Sequence, residues 1–247
     1  MKRYPVDKLQ VTSLENRQQM GAVAAQEAAE VLRNIIAQKG HAVAMFAAAY
    51  SQSEVLSGLV ASDVDWTKVT AFHMDNYIGL PLDAPQQFSS FLNEYLFGKL
   101  SFGQVYLMGN TEDDAPRYAA LLRDHPLDVC FLGVGENGHL AFNDPHVADF
   151  NDPLLVKKVE LDEVCRNQQV RDKCFATLED VPHYALTVTI PALLSAGEIF
   201  CAVPALPKAD AVRAMLTGPV SESCPASILR RHPSARLYLD PDSSSKL

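Results

Sequence analysis

The sequence predicts an α/β fold, a doubly wound and mostly parallel sheet with helices on both faces in the Rossmann-like manner. Three observations lead to that expectation. Short apolar runs alternate along the chain with longer stretches of helical period; two of those runs end abruptly in polar turns that contain glycine; and no Pro/Gly/Ser-rich linker interrupts the 247 residues, 48% of which are hydrophobic. A chain of this length and composition can bury one large core, so residues 1–247 read as a single domain.

The first predicted element is a helix from Leu14 to Gln38, in which Met20, Val23, Ala24, Val31, Leu32, Ile35 and Ile36 recur near the helical period and Gly40 supplies the stop. An apolar strand at Ala42–Phe46 and a helix at Ser53–Ala61 follow. Val69–His73 is the next strand and Phe88–Phe97 the next helix. There Phe88, Phe91, Leu92 and Tyr95 have ordinary amphipathic spacing and read as core packing rather than a sugar platform. Strand Val105–Met108, helix Thr111–Arg123 and strand Val129–Leu132 continue the alternation. Strands Ala185–Thr189, Ile199–Val203 and Ala235–Leu239 complete it, with a helix at Lys208–Leu216.

Composition excludes several classes of function. A net charge of −9 argues against a nucleic-acid partner, because phosphate backbones are held by clustered basic residues. No apolar run is long enough for a membrane span, and Met1–Pro5 lacks the apolar stretch of a secretory signal, so a cytoplasmic location is expected. Cys130, Cys165, Cys174, Cys201 and Cys224 show no C-x-x-C spacing, which predicts neither disulfides nor a zinc site. His73 and Asp75 could share a strand face as a metal pair, but no further His cluster supports one and no metal is expected. His41, His125, His183 and His232 read as surface or capping residues.

The chemistry concentrates in the run Leu132–Pro145, Leu-Gly-Val-Gly-Glu-Asn-Gly-His-Leu-Ala-Phe-Asn-Asp-Pro. Gly133 to Gly138 spell G-x-G-x-x-G, yet the pattern lies near mid-sequence and runs on into Phe142-Asn143-Asp144-Pro145 instead of opening a helix, so no dinucleotide cofactor is expected. The glycines, Gly135 and Gly138 among them, let backbone N–H groups approach a ligand. His139 and Asp144 can share a proton if the loop curls back. Asp75 follows strand Val69–His73, at a lip that would face the same crevice, where it is either a functional carboxylate or an Asx turn that ends the strand.

Together these stretches resemble the glucosamine-6-phosphate deaminase (isomerase) family, whose patterns run M-D-E-Y-x-G-L and G-x-G-x-[DN]-G-H-I-x-F-N-E-P. Weaker similarity continues through Val181–Val188, Lys208 and Cys224–Leu229, and extends from about the first strand to Asp240. The related 6-phosphogluconolactonases share the fold, but their loop after Gly-His reads more like T-A-S-L-F-P. The resemblance implies an aldose–ketose isomerisation of an aminosugar phosphate with loss of ammonia. Asp75 would move a proton from C2 to C1, His139 would help open the sugar ring, and Asp144 and Asn137 would orient His139. A lactone hydrolase and a non-catalytic sugar-phosphate-binding protein are the alternatives.

The chain departs from the family pattern where a substrate would touch. Asp144 stands for the usual Glu, one methylene shorter, and Asn76 for a common Glu beside the base. Relatives carry a loop of the L-P-T-G-G-T-P kind after the first strand, whereas this chain has Met45–Gln52 without glycine, leaving Ser51 as a donor to an anion. Lys208 matches the family's phosphate lysine. Lys157, Lys158, Arg166 and Arg171 are further candidates for holding an anion, with a solvated helix face as the competing reading for the last two. The expected partner is a small sugar or sugar phosphate, and a homo-oligomer is compatible with the sequence.

Overall fold

The structure, a computed structural model, describes residues 1–247. In chain order the elements are β1 (Lys2–Val6), β2 (Leu9–Ser13), α1 (Arg17–Lys39), β3 (Ala42–Phe46), α2 (Ser53–Val60), β4 (Val69–His73), β5 (Asp75–Tyr77), α3 (Phe88–Tyr95), β6 (Gln104–Tyr106), α4 (Asp114–Asp124) and β7 (Val129–Leu132). There follow β8 (Val156–Glu160), α5 (Glu163–Arg171), β9 (Tyr184–Val188), α6 (Ile190–Leu194), β10 (Glu198–Val203), α7 (Ala209–Thr217) and β11 (Ala235–Leu239).

Eight strands form the main sheet in the order β1-β2-β11-β10-β7-β3-β4-β6, parallel except for the edge strand β1. Pro5 lacks an N–H for a ladder and sits in that edge strand, where one is least missed. Strand β3 shows why the centre is stable: Val43 and Met45 bury into one core, and Ala42, Ala44 and Phe46 into the other. Both faces are covered, which is the burial a parallel sheet requires. On the second face Phe46, Phe131, Phe200 and Tyr238 stack across β3, β7, β10 and β11, with ring centroids 4.9, 5.8 and 6.3 Å apart. Below β4 the only tryptophan, Trp66, is buried against Phe102.

Helix α1 starts later than its apolar pattern suggests. Asn16 caps it by accepting the Gln19 N–H at 2.8 Å, and Gly40, at φ 80°, ends it with its N–H on the Ile36 carbonyl.

One assignment needs correction. Residues 184–188 do form a strand, but in a separate antiparallel sheet, β5-β9-β8. The chain leaves the main sheet at Met74, and Asp75–Tyr77 pairs with β9 instead of extending β4. Asp75 therefore opens a strand of the small sheet rather than ending one of the large sheet. A small core of Tyr77, Phe142, Val159, Leu161, Cys165 and their neighbours fills the space beneath it.

The winding reverses between β3 and β7. From β3 the chain steps outward to β4 and β6, and from β7 it steps the other way to β10 and β11. Loops leaving the C-terminal ends of two such strands diverge and leave a crevice between them.

Candidate active site

A cavity of about 300 Å³ occupies that crevice, a volume at the small end of ligand sites. The loop after β3 contributes Ala47 to Ser51, and the loop after β7 contributes Gly133, Val134, Gly135 and His139. The small sheet brings Met74 and Asp75, α5 and its end bring Gln168, Gln169, Asp172, Lys173 and Cys174, and the 3-10 helix Leu206–Lys208 brings Lys208. Of the residues singled out from sequence, Asp75, His139, Gly135, Ser51 and Lys208 thus meet around one space.

Asp75 is 6% exposed, and burial alone raises its carboxyl to about 8. No protein cation or donor offsets that burial, so the group stays protonated well above the usual carboxylate range.

Across the cavity His139 sits on a tight turn. Its carbonyl accepts the Gly135 N–H at 3.0 Å, and a Cβ on Gly135 would overlap the imidazole, so the ring lies against bare backbone. Its Nδ1 is 2.9 Å from Asp144 Oδ1. The contact is within hydrogen-bond distance but falls short of a well-directed hydrogen bond. The missing methylene of Asp144 is thereby made up in distance but not in direction.

Asp144 is fully buried. Burial pushes its carboxyl up, but His139, the Asn137 side chain and the Asp162 N–H together hold it below the usual value. Asn137 Nδ2 donates to Asp144 Oδ1 and to Asp162 Oδ2, each at 2.9 Å, while its Oδ1 accepts the His139 N–H at 3.1 Å. Asn137 therefore fixes both ends of the His139–Asp144 pair.

Lys208 is 8% exposed and makes no ion pair; burial lowers its pKa, opposed by the more distant charges of Asp172 and Glu136. Its turn is anchored by Asp240, whose carboxylate accepts the Ala205 N–H at 3.0 and 3.1 Å. A buried ammonium without a counter-charge suits an anionic ligand.

The remaining candidates lie away from the cavity wall. Lys157 pairs with Asp152 at 2.7 Å and donates to the Val147 carbonyl. Lys158 pairs with Glu112. Arg166 donates to the Leu178 and Val181 carbonyls at 2.6 and 3.1 Å, and Arg171 pairs with Glu136. Gly138 serves the turn itself, at φ 85°, and a Cβ there would come 2.8 Å from Cys224 Sγ.

Other lining residues were not assigned to a site from sequence, and Phe88 and Phe91 were read as core packing alone. Tyr50, Phe88, Phe91 and Phe142 build an aromatic wall, so Phe88 and Phe91 face the cavity as well as packing. Gln169 and Lys173 line the far end. Lys173 holds φ 60° in a Schellman turn that ends α5, its N–H on the Val170 carbonyl and the Cys174 N–H on the Gln169 carbonyl, each at 3.0 Å.

Two clusters bring three ligand-type side chains within 4.8 Å, His139-Asp144-Cys165 and Asp144-His146-Asp162. Both depend on Asp144, whose oxygens are already taken up by N–H donors.

The sequence profile of the glucosamine-6-phosphate isomerases/6-phosphogluconolactonase family matches residues 15–238. The chain belongs to this family. Among family members, the glucosamine-6-phosphate deaminase of Streptococcus pneumoniae serotype 4 is 34% identical over 243 residues, which cover 97% of this chain and 100% of the relative. A solved structure of a monomeric glucosamine-6-phosphate deaminase, described as a missing link of the NagB superfamily, superposes with a TM-score of 0.87 at 26% identity, covering 96% of this chain and 99% of that one. The 6-phosphogluconolactonase of Shewanella baltica OS155 reaches a TM-score of 0.78 over 96% and 99% of the two chains, but at 16% identity that likeness concerns the fold alone. The loop after β3, where the chain departs from the family pattern, lines the cavity through Ala47 to Ser51.

Proposed function

We propose that this chain is an aminosugar-phosphate deaminase that converts glucosamine 6-phosphate, or a close relative of it, to the ketose phosphate and ammonia. The observation that carries the reading is that a buried, unpaired Asp75 carboxyl and a His139 backed by Asp144 line one cavity. The likeness to glucosamine-6-phosphate deaminases along nearly the whole chain supports it. A lactone hydrolase has no use for a carbon-acid base at Asp75.

In this reading His139 handles the proton of the ring oxygen, opening the sugar to its C1 aldehyde. Asp75, in its ionised form, takes the proton from C2, giving an enolamine, and returns it to C1. The imine left at C2 then adds water and expels ammonia, leaving the C2 ketone. A carboxyl raised by burial suits both halves of the shuttle, because neither gaining nor losing the proton is steeply uphill near neutral pH. Lys208 and Ser51 are assigned to the phosphate, with Gly135 leaving room for the His139 ring at the cavity wall. The same reading makes residues 1–247 one catalytic domain, cytoplasmic, acting on a small molecule; a homo-oligomer is compatible with it.

Ammonia release from glucosamine 6-phosphate by the purified protein tests the proposal. Loss of the base in Asp75→Asn is expected to lower kcat by about 10²- to 10⁴-fold. Equal release by the variant and its parent would overturn the assignment.

A further inference from the structure

Asp75 carries the central demand of the proposed reaction, yet no protein donor holds its carboxyl group. Its aim must therefore be set through its own backbone. Behind that backbone lies His73, two residues earlier and fully buried. Its Nε2 accepts the Met108 N–H at 2.8 Å, so the ring proton resides on Nδ1, which donates to the Asp75 carbonyl at 2.9 Å. Only the neutral imidazole satisfies both bonds, and burial keeps the ring neutral, pulling its pKa down to about 4.

The main chain of His73 is pinned as well. Its N–H donates to the Tyr118 hydroxyl at 3.0 Å, and that hydroxyl donates back to the His73 carbonyl at 2.8 Å. Both ring nitrogens and both backbone groups of one residue are thus committed, to β5, to the segment after β6 and to α4. This happens at the point where the chain leaves the large sheet for the small one.

We propose that His73, braced by Tyr118, is the positioning residue of the base: its hydrogen bond to the Asp75 carbonyl fixes the backbone from which the carboxyl group reaches the substrate. The proposal rests on the reading of Asp75 given above. His73 touches no substrate and lies outside the cavity lining, so its effect passes entirely through Asp75.

Two substitutions separate the two ring bonds. His73→Asn places an amide N–H near the position of Nδ1 and keeps the bond to Asp75. His73→Gln reaches instead toward the Met108 N–H and leaves the Asp75 carbonyl without its donor. With glucosamine 6-phosphate deuterated at C2, His73→Gln is expected to lose about 100-fold in kcat with KM little changed, and to show an enlarged isotope effect, because a misaimed base slows the proton transfer itself. His73→Asn should recover most of the rate and the parental isotope effect. A structural role alone would lower the folded fraction of both variants and leave the isotope effect of the survivors unchanged, and that result would overturn the proposal.

Crystal structures of the two variants give an answer independent of turnover. A displaced or multiply oriented Asp75 in His73→Gln, with the parental position in His73→Asn, supports the positioning role; an undisturbed Asp75 in both refutes it. Tyr118→Phe, which removes only the brace, is expected to give a smaller shift in the same sense. Absence of ammonia release from the unmutated protein would count against the deaminase reading, while the Asp75 coordinates in these crystals would still decide the role of His73.

Discussion

At Asp75 the chain gives up stability to hold a reactive group. The unfolded carboxyl titrates near 3.8 and the folded one near 8, so between those values the folded state holds a proton that the unfolded state has released. Stability contributed by the protonated group is complete below pH 3.8 and is lost as pH rises toward 8. Asp75→Asn, which carries no charge at any pH, should therefore melt above its parent by a margin that widens between pH 5 and pH 8, growing by up to about 1.4 kcal/mol per pH unit. Calorimetric melts of both proteins across that range check it; a constant margin would mean that Asp75 titrates normally. Asp75, His139 and Asp144 were legible in the sequence because each sits in a polar motif that follows an apolar strand, and Lys208 because it matches the family's phosphate lysine. The basic candidates were not separable in the same way. A lysine or arginine shows its charge in the sequence but not its partner, and Asp152, Glu136 and the carbonyls of Leu178 and Val181 engage three of them. His73 was visible only as a possible ligand, because both of its bonds go to backbone atoms, which leave no pattern in side-chain identity.

Among the elements, the end of α5 is the one most open to improvement. Lys173 adopts the left-handed conformation that glycine takes without strain, at a cost of about 1 kcal/mol. Its side chain is exposed, so Lys173→Gly removes the strain without opening a hole. We expect a stabilisation of about 1 kcal/mol and a rise of roughly 2–4 °C in Tm, and a lower Tm would show that the lysine makes a favourable contact. Among the strands that sequence located most accurately, β3 and β7 are continuous buried apolar runs, and β4 and β11 are buried save for one half-buried polar residue each, Thr70 and Arg236. Of those it missed, β5 is only three residues long, β1 has no buried position, and β2 and β8 carry exposed positions between buried ones; Lys-Arg-Tyr-Pro-Val and Val-Lys-Lys-Val-Glu look like surface loops until a partner strand is supplied. The transfer of residues 184–188 to a second sheet is a pairing decision made by β5 and β8. No local pattern within the strand encodes it.

Across the whole molecule, the chemistry gathers on one side, where the carboxyl ends of the parallel strands meet the small antiparallel sheet. One wall of the cavity comes from the loops of the large sheet and the other from β5 and α5, so the base and the histidine belong to different layers that must keep their register. The opposite end of the large sheet takes no part. Trp66 lies there, just before β4 begins, with five strand residues between it and the segment that holds Asp75. At about 3.3 Å per residue that strand separates the indole from the chemistry by roughly 16 Å. The lone tryptophan is therefore an optical witness to the integrity of the fold and not to occupancy of the site. Emission excited at 295 nm should stay fixed in wavelength while glucosamine 6-phosphate saturates the protein, and move to the red only when urea opens the layer around Phe102. A ligand-induced shift would reveal that the two ends of the sheet move together.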